Sequence, residues 1–326
     1  MKNLLINIFK IFSNPIDIIL SIAIVPGAYL LLLFRRIRAS RLPHTSNRLK
    51  KIGIYAIRDH YYEPLFNHKH LLKPLNEDRE LPGINLNIEK QIAFLSKLQC
   101  SDELKLMDLE KPAYRSIDFS LRNTFFSNGD AEFLYQVIRF LKPSKLIEIG
   151  CGHSTKIARL ALYQNELESG KTTKHICIEP YEQSWLKDLE GINFIPERIE
   201  KLKFDWKNEL SEGDLLFIDS SHIIRPQGDV LSEYLQIIPK LKQGVYIHVH
   251  DIFTPKDYPK KWIIDEVYFW NEQYLLEALL SDTKKYEVVA ALNYLKNHHY
   301  NALQKVCPYL STEHEPGSFY FKVLHN

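Results

Sequence analysis

Short β-rich runs alternate with helical segments along the second half of the chain, from Asn128 onward. Strands that alternate with helices are typical of βαβ units, in which parallel strands form one sheet. The strands are predicted at 145–149, 174–179, 192–196, 214–219 and 244–250, and the helices at 130–141, 154–167, 182–189, 228–241 and 265–281. Two further strands are predicted near the C-terminus, at 286–293 and 318–324, and we expect them to pair antiparallel at one edge. The sequence therefore predicts an α/β fold with a mostly parallel sheet.

The composition agrees with a folded protein. The chain has 326 residues, of which 45% are hydrophobic and 25% charged, with 12 glycines and 16 prolines. These values exclude collagen-like, low-complexity and largely disordered chains. The four cysteines lack any CxxC or paired spacing. The sequence therefore predicts neither a disulfide framework nor a zinc ribbon, and a reducing compartment suits it best.

Positive charge is concentrated at the N-terminal end. Residues 1–60 contain ten Lys and Arg against Asp17 and Asp59, a net charge of +8, whereas the whole chain has a formal net charge of +2. The rest of the chain is therefore mildly acidic. A basic end on an acidic body indicates attachment to an anionic surface rather than a nucleic-acid-binding domain, so no nucleic-acid partner is expected.

An uncharged apolar run of 17 residues, 18–34, precedes arginines at positions 35, 36, 38 and 41. As one helix it would be about 25 Å long, which barely spans a bilayer, although the arginine side chains would snorkel to the headgroups. The basic flank predicts a membrane helix over residues 16–41, within an anchor of residues 1–41, with the body on the cytoplasmic side. Pro26-Gly27 lies inside the run, so a kinked or re-entrant segment is an alternative, and a buried helix of a soluble protein is another.

Residues 42–124 contain several prolines and show one clear helical pattern, near 88–98. We expect an irregular lead-in here rather than an independent domain. Within it lies a polar and aromatic cluster: Arg58, Asp59, His60, Tyr61 and Tyr62. Tyrosines offer flat surfaces with a hydroxyl group, so this cluster either covers a small-molecule site or attaches the lead-in to the sheet.

The segment 145–155, KLIEIGCGHST, combines an apolar strand, a glycine-containing turn and the start of a helix. Gly150 and Gly152 allow the backbone to approach a ligand closely, and Glu148 can accept hydrogen bonds from it. The next predicted strand ends in Glu179, where nucleotide-binding sheets carry a ribose-binding carboxylate. A dinucleotide site also needs a third glycine, which brings the pyrophosphate to the helix N-terminus, and Thr155 stands there instead. The pattern therefore predicts a nucleotide-type site that does not hold a pyrophosphate.

These residues resemble the class I S-adenosylmethionine-dependent methyltransferases, whose first motif, an acidic residue followed by G-x-G, is matched by Glu148, Gly150 and Gly152. The resemblance covers residues 125–326 and implies a methyltransferase domain with a Rossmann-like, mostly parallel sheet of seven strands and an antiparallel last strand. It also implies which residues bind S-adenosylmethionine: Glu148, Gly150, Cys151, Gly152, Ser154, Glu179 and Asp219. Within this superfamily, FIDSSH (217–222) and HVHDIFTPKDYP (248–259) are similar to a bacterial group of small-molecule and saccharide-associated methyltransferases.

Methyl transfer from a sulfonium needs an aligned acceptor and, for a hydroxyl acceptor, a group that takes its proton. Polar residues at the ends of the fourth and fifth strands are the candidates: Asp219, His222, His248, His250 and Asp251. Since histidine titrates near neutral pH, we expect catalysis by His222 and His250, with Asp219 beside them. Alternation along the strand places His248 and His250 on one face and Asp251 opposite or in the loop, so not all can face one pocket. We expect His248 to pack under a helix.

A divalent metal ion is an alternative use of the same residues. Asp219 and Asp251, together with His250, would bind an ion that holds paired acceptor hydroxyl groups and lowers their pKa. The resemblance supports acidic ligands at these two aspartates, because the catechol-type branch of the superfamily carries them there. Ile252 departs from the ligand set of that branch.

The sequence thus predicts a membrane-attached enzyme that methylates a hydroxyl or similar group of a small molecule or envelope-associated saccharide at the cytoplasmic face. Two other functions stay open at this point. One is an NAD-type dinucleotide-dependent oxidoreductase, which the missing third glycine disfavours. The other is a non-catalytic, membrane-attached scaffold with the same fold.

Overall fold

The computed structural model describes residues 13–37, 39–58, 64, 67–181 and 183–325, and the chain divides into two units, residues 1–72 and 73–326. The boundary falls inside the segment 42–124, so the first part of the predicted lead-in belongs with the N-terminal helices. Of the polar and aromatic cluster in that segment, Arg58 is described, and Asp59, His60, Tyr61 and Tyr62 lie outside the described residues.

The described residues of the N-terminal unit include the α-helices α1 (Ser13–Ala23), α2 (Val25–Ile37) and α3 (Pro43–Ile52). The apolar run predicted as one helix is broken at Ile24, and the two halves are bent by 40°. Pro26 explains the break, since proline has no amide hydrogen to donate to the carbonyl group four residues earlier. Within the described ranges, no single helix is long and apolar enough to cross a membrane, and these two helices pass that test only as a bent pair. The prediction of a straight membrane helix is therefore wrong, and the kinked alternative describes the observed shape.

The second unit is built on a seven-stranded sheet with the order β3-β2-β1-β4-β5-β7-β6. The strands are β1 (Lys145–Ile149), β2 (Lys174–Ile178), β3 (Ile192–Ile195), β4 (Leu215–Ile218), β5 (Tyr246–Val249), β6 (Tyr286–Ala291) and β7 (Phe319–Val323). Strands β1 to β5 are parallel, and β7 is antiparallel to both β5 and β6. The sheet confirms the predicted α/β fold, with seven strands and an antiparallel last strand.

The longer helices of this unit are α4 (Ile88–Leu95), α5 (Ser101–Leu106), α6 (Asp130–Leu141), α7 (His153–Ser169), α8 (Glu272–Leu280), α9 (Leu292–His298) and α10 (Tyr300–Val306). Both α6 and α7 lie where the sequence predicts them, whereas α5, α9 and α10 were not predicted. The predicted helix 182–189 is reduced to one turn, Ser184–Lys187. The predicted helix 228–241 consists of three short segments: Asp229–Ser232, Glu233–Ile237 and Ile238–Lys240.

The predicted helix 265–281 begins only at Glu272. The backbone amides of Asn271 and Glu272 both donate to the carbonyl group of His222, at 2.9 and 3.2 Å. Val267 has φ +57°, which is incompatible with a continuous right-handed helix through this segment. The loop after β4 therefore fixes where α8 starts, and it places Glu272 beside His222.

Both faces of the sheet are buried, as is usual for parallel strands. On one face, Ile147 and Ile218 belong to the same apolar cluster as Val230 and Leu276. On the other face, Leu146 packs with residues of α6 and α7. Because β1, β2, β4 and β5 are parallel, their C-terminal ends and the loops that follow them meet at one edge of the sheet.

Candidate active site

The loop after β1 passes directly beside the end of β4. Gly150 has φ +84°, and a Cβ atom there would lie 1.8 Å from the carbonyl oxygen of Asp219. The amide of Asp219 donates to the carbonyl group of Ile149, at 2.8 Å. Only glycine fits position 150, for both steric and conformational reasons. Gly152, by contrast, caps α7 with open space around it, so a ligand can approach the backbone there.

Glu179 follows β2 at the same edge of the sheet. Its two carboxylate oxygens accept hydrogen bonds from the amides of Cys151, at 3.2 Å, and Tyr181, at 2.7 Å. Burial raises the pKa of Glu179, and these two hydrogen bonds offset only part of that effect. The half-buried carboxylate thus ties the glycine loop to β2 and keeps lone pairs for a ligand.

A cleft opens between these elements, and three of the predicted cofactor residues line it, Gly150, Glu179 and Asp219. The cleft is also lined by several residues that the sequence analysis did not select: Tyr181, Arg198, Ser220, Ser221, Arg225 and Asp229. The two serines directly follow Asp219 at the end of β4, so their position at a strand end was the available signal. Tyr181, Arg198 and Arg225 lie in loops and Asp229 begins the short helical segment Asp229–Ser232, so no periodic pattern singles these residues out.

Glu148 supports the glycine loop from beneath. Its carboxylate accepts a hydrogen bond from the hydroxyl group of Ser154 and lies 3.1 Å from Nε2 of His175. Burial lowers the pKa of His175, but its contacts with Cys177 and Glu148 outweigh burial and raise the pKa to about 9. The thiol of Cys151 also points inward, toward backbone carbonyl groups. These placements favour a structural role for the side chains of Glu148, Cys151 and Ser154, not the direct cofactor contact that the resemblance implies.

The loops after β4 and β5 bring further ionisable groups together. Nε2 of His222 lies 3.3 Å from an oxygen of Asp219 and 3.4 Å from an oxygen of Asp251. The other ring nitrogen, Nδ1, lies 2.8 Å from Oε2 of the buried Glu272. His222 and Asp251 both have φ +59°, a costly conformation that is concentrated at functional sites. Three carboxylates therefore hold the ring of His222 in one orientation.

His250 completes this group. Its Nδ1 lies 3.5 Å from oxygens of both Asp219 and Asp251, and its Nε2 lies 3.6 Å from Asp130. In the described part of the chain, Nδ1 of this buried ring has no hydrogen-bond partner. Two imidazoles and four carboxylates thus form an acid–histidine cluster: Asp130, Asp219, His222, His250, Asp251 and Glu272.

The neighbouring charges set the protonation of the acid–histidine cluster. Burial lowers the pKa of His222 and His250, but the surrounding carboxylates outweigh burial and hold both pKa values well above the usual range. Burial raises the pKa of Asp219, but the two neighbouring imidazoles outweigh burial and hold this pKa well below its usual range. Burial raises the pKa of Asp251 to about 6. At neutral pH both histidines therefore carry a proton, which does not favour the predicted general-base role for them.

His248 lies outside this group. Its Nε2 is 2.8 Å from the hydroxyl group of Ser318, and its ring stacks on Tyr320 with 4.0 Å between the ring centres. Burial and the charge of His250 lower the pKa of His248 well below the usual range. His248 is therefore a neutral core residue whose side chain packs against that of its neighbour on β7. The other four candidates do converge, because Asp251 lies in the loop after β5.

Asp130 and Glu272 are the members of the acid–histidine cluster that the sequence analysis missed. Glu272 lies within the segment 269–280, whose apolar positions recur at helical spacing, a pattern that is typical of a core helix rather than of a site. Glu272 is fully buried and also accepts a hydrogen bond from the hydroxyl group of Tyr234, at 3.0 Å. An acidic residue at the start of an apolar helix was the only signal, and it does not indicate the partner.

Two groups of side chains in the described ranges have the spacing of metal ligands. The first consists of Asp219, His222 and Asp251, whose ligand atoms lie within 4.8 Å of one another. The second is Glu148, His175 and Cys177, which is fully buried. In the first group the histidine ligand is His222, whereas the sequence analysis expected His250 beside the two aspartates. Its Nδ1 faces Glu272, which is the arrangement that orients metal-bound histidines in proteins. The residues of this first group therefore fit a divalent cation.

A family model described as a methyltransferase domain matches residues 147–252 of this chain. This range runs from β1 to the loop after β5. An uncharacterized protein from Archaeoglobus fulgidus is 26% identical over 156 residues, which are 44% of this chain and 66% of that protein. The match thus spans just under two thirds of that relative.

The chain is also similar to two solved structures. One is the plantazolicin methyltransferase BpumL in complex with a triazolic desmethylPZN analog and SAH, with 14% identity, a TM-score of 0.37, and coverage of 73% of this chain and 96% of that chain. The other is the 1,6-didemethyltoxoflavin-N1-methyltransferase of Burkholderia thailandensis, with 11% identity, a TM-score of 0.32, and coverage of 76% and 94%. The range matched by the family model, residues 147–252, contains the loops after β1, β2 and β4 that line the cleft.

Proposed function

We propose that this protein is an S-adenosylmethionine-dependent methyltransferase that acts on a hydroxyl group of a small molecule or saccharide. The observation that carries the proposal is the carboxylate of Glu179, fixed by two backbone amides beside the glycine loop. It lies at the edge where open α/β sheets bind their ligands. The match of residues 147–252 to a methyltransferase domain supports the proposal.

Each part of the cleft has its own task. S-adenosylmethionine, when bound, supplies the methyl group on a sulfonium centre. Glu179 has lone pairs for the two hydroxyl groups of a ribose, and the open backbone at Gly152 leaves room beside the start of α7. Asp219 both lines the cleft and belongs to the acid–histidine cluster, so it lies between the cofactor side and the acceptor side.

The acceptor would bind at the acid–histidine cluster. Transfer requires that its oxygen be aligned with the methyl group and lose a proton. The side chains of Asp219 and Asp251 are 29% and 16% exposed, whereas those of His222 and His250 are 6% and 4% exposed. The two aspartates are therefore the groups that can contact an acceptor hydroxyl, and the two imidazoles hold them in place.

A divalent cation is a second way to activate the acceptor. Asp219, Asp251 and Nε2 of His222 would hold it, and Glu272 would fix the ring of His222. Such an ion acts as a Lewis acid that holds paired oxygens and lowers their pKa. A divalent cation at this position would offset part of the negative charge of the four carboxylates, and it would take the place of the proton on Nε2 of His222.

We further propose that the N-terminal unit attaches the enzyme to the cytoplasmic face of a membrane. The side chains of Ile19, Ile22, Tyr29 and Leu30 are more than half exposed on α1 and α2. With a 40° bend, residues 15–37 would be about 30 Å long from end to end, similar to the thickness of a hydrocarbon core. Release of the full chain from cell membranes by salt alone would contradict this proposal.

Glu179→Ala is expected to weaken the binding of S-adenosylmethionine by about tenfold or more, because a lost hydrogen bond to a charged group costs about 1–3 kcal/mol. Calorimetric titration of the full chain with S-adenosylmethionine, S-adenosylhomocysteine and NAD measures this. Glu190→Ala removes an exposed carboxylate outside the cleft and should leave the affinity unchanged.

The same titrations separate the three functions. Saturable binding of NAD without S-adenosylmethionine would replace the proposal by an oxidoreductase. Failure to bind any of the three compounds would favour a non-catalytic scaffold. If the Glu179→Ala and Glu190→Ala variants bound S-adenosylmethionine equally well, the proposed cofactor would stand, but Glu179 would not contact it.

Titration of the metal-free full chain with Mn²⁺, followed by the electron paramagnetic resonance signal of the free ion, tests the cation. One ion is expected to bind per chain, and Asp251→Asn should weaken its binding by about tenfold or more, since a carboxylate ligand is lost. Asp265→Asn, at an exposed position, is the control. Binding that survives Asp251→Asn but is lost in Cys177→Ser would assign the ion to the other group instead.

A further inference from the structure

A groove in the N-terminal unit joins an apolar wall to a cationic end. It follows one face of α2, because Ala28, Leu31, Leu32, Arg35 and Arg36 recur at the three- and four-residue spacing of a helix face. The apolar residues come first and the two arginines lie in the last turn of α2. Over these residues the face is about 12 Å long.

The opposite wall is the segment that follows α3. Ile57 and Arg58 line it, so a third guanidinium group joins those of Arg35 and Arg36. Arg35 and Arg58 are half-buried, and Arg36 is exposed. Arg58 belongs to the cluster that the sequence predicts either to cover a small-molecule site or to attach the lead-in to the sheet, and the structure places it in this groove.

The polarity of the groove defines the chemistry of its ligand. Guanidinium groups match the oxygens of a phosphate in a bidentate way and remain charged at all physiological pH values. The carbonyl groups at the C-terminal end of α2 disfavour an anion, so the attraction must come from the arginine side chains. The apolar wall favours a hydrocarbon chain next to that anion. A free inorganic phosphate would leave this wall unused.

We propose that this groove binds the phosphate group of one anionic lipid, with the first part of an acyl chain against Leu31 and Leu32. The rest of the unit supports a lipid, because Ile22, Leu30 and Leu33 expose apolar surface on the same two helices. The site lies wholly within residues 28–58 and is independent of methyl transfer. Its failure and the failure of the proposed activity are therefore measured separately.

Titration of the full chain in detergent with dioctanoyl-phosphatidate, followed by native mass spectrometry, tests the proposal. One lipid is expected to bind per chain, and the triple variant Arg35→Gln, Arg36→Gln, Arg58→Gln should bind it about tenfold or more weakly. The matched control removes the same charge from α3, outside the groove, by Arg48→Gln, Lys50→Gln and Lys51→Gln. That control should change the affinity by less than about threefold, since exposed charges that do not contact the ligand are screened by salt.

A second pair of variants tests the apolar wall. Leu31→Ser changes a residue of the groove, and Leu30→Ser changes its neighbour, which is 68% exposed and does not line the groove. Only Leu31→Ser should weaken the binding of dioctanoyl-phosphatidate. If the triple arginine variant fails to fold, this comparison decides alone.

Three results would overturn the proposal. Equal weakening by the two triple variants would show that diffuse charge attracts the lipid. Equal affinity for dioctanoyl-phosphatidylcholine would show that the anion is not selected. Full competition by inorganic phosphate at the concentration of the lipid would show that the groove is a phosphate site rather than a lipid site.

Discussion

Gly150→Ala is expected to destabilise the second unit by about 3–4 kcal/mol and to abolish the binding of S-adenosylmethionine. A methyl group at this position would lie 1.8 Å from the carbonyl oxygen of Asp219, and φ is +84°. Overpacking of this kind costs about 1–3 kcal/mol or more, and a left-handed conformation adds roughly 1–2 kcal/mol for a residue with a side chain. Unfolding by urea, followed by circular dichroism, measures the loss.

Two other glycines separate the causes. Gly170 also has positive φ, +66°, but no atom lies within 4 Å of an added Cβ, so Gly170→Ala should cost only about 1 kcal/mol. Gly152→Ala has neither clash nor positive φ, and it should leave stability nearly unchanged while weakening cofactor binding. A loss for Gly150→Ala no larger than that for Gly170→Ala would refute the contact with Asp219.

Glu272→Gln is expected to lower the free energy of unfolding by about 3 kcal/mol, because it removes one partner of a fully buried ion pair. One carboxylate oxygen of Glu272 lies 2.8 Å from Nδ1 of His222, and the other accepts a hydrogen bond from the hydroxyl group of Tyr234 at 3.0 Å. Without that charge, the protonated His222 keeps only Asp219 and Asp251 as partners. Chemical unfolding of the two proteins at neutral pH measures the difference.

Two variants serve as controls for the Glu272 experiment. Tyr234→Phe removes a neutral hydrogen-bond partner of the same carboxylate and should cost about 1 kcal/mol. Glu266→Gln changes an exposed residue in the preceding loop and should stay within about 0.5 kcal/mol of the parent protein. A Glu272→Gln effect as small as that of Glu266→Gln would mean that the ion pair with His222 contributes nothing to stability.

The sheet could be predicted from the sequence because its signals are local. A buried parallel strand is a short apolar run, and the runs around Ile147, Ile176, Phe217 and Ile247 stand out as such. The glycine turn after the first strand identifies the ligand edge for the same reason, since φ and close approach restrict the residue type.

The acid–histidine cluster could be predicted only in part. The residues at strand ends, Asp219 and Asp251, follow from the strands themselves. The contact of Glu272 with His222 spans 50 positions in sequence and depends on where α8 begins, which the loop after β4 determines. Protonation could not be predicted either, because the pKa of His222 depends on three carboxylates that come from separate elements.

The N-terminal unit shows a different limit. Hydrophobicity identifies the run 18–34, but the direction of each side chain depends on the break at Ile24. Once α2 starts at Val25, its helical spacing brings Ala28, Leu31 and Arg35 onto one face. The groove also needs its second wall, residues 56–58, and no periodic pattern in the sequence connects that segment with α2.

The shared position of Asp219 has a thermodynamic consequence. One of its faces lines the cleft beneath the glycine loop, and its carboxylate contacts His222 and His250 in the acid–histidine cluster. Any occupant of one side that changes the charge or position of this carboxylate changes the affinity of the other side. Linkage requires the effect to be reciprocal, so the acceptor side must alter cofactor affinity by the same factor as the cofactor alters acceptor affinity. If the proposed function is right, the binding of the cofactor and the binding of the acceptor are thus coupled through a single side chain at the end of β4.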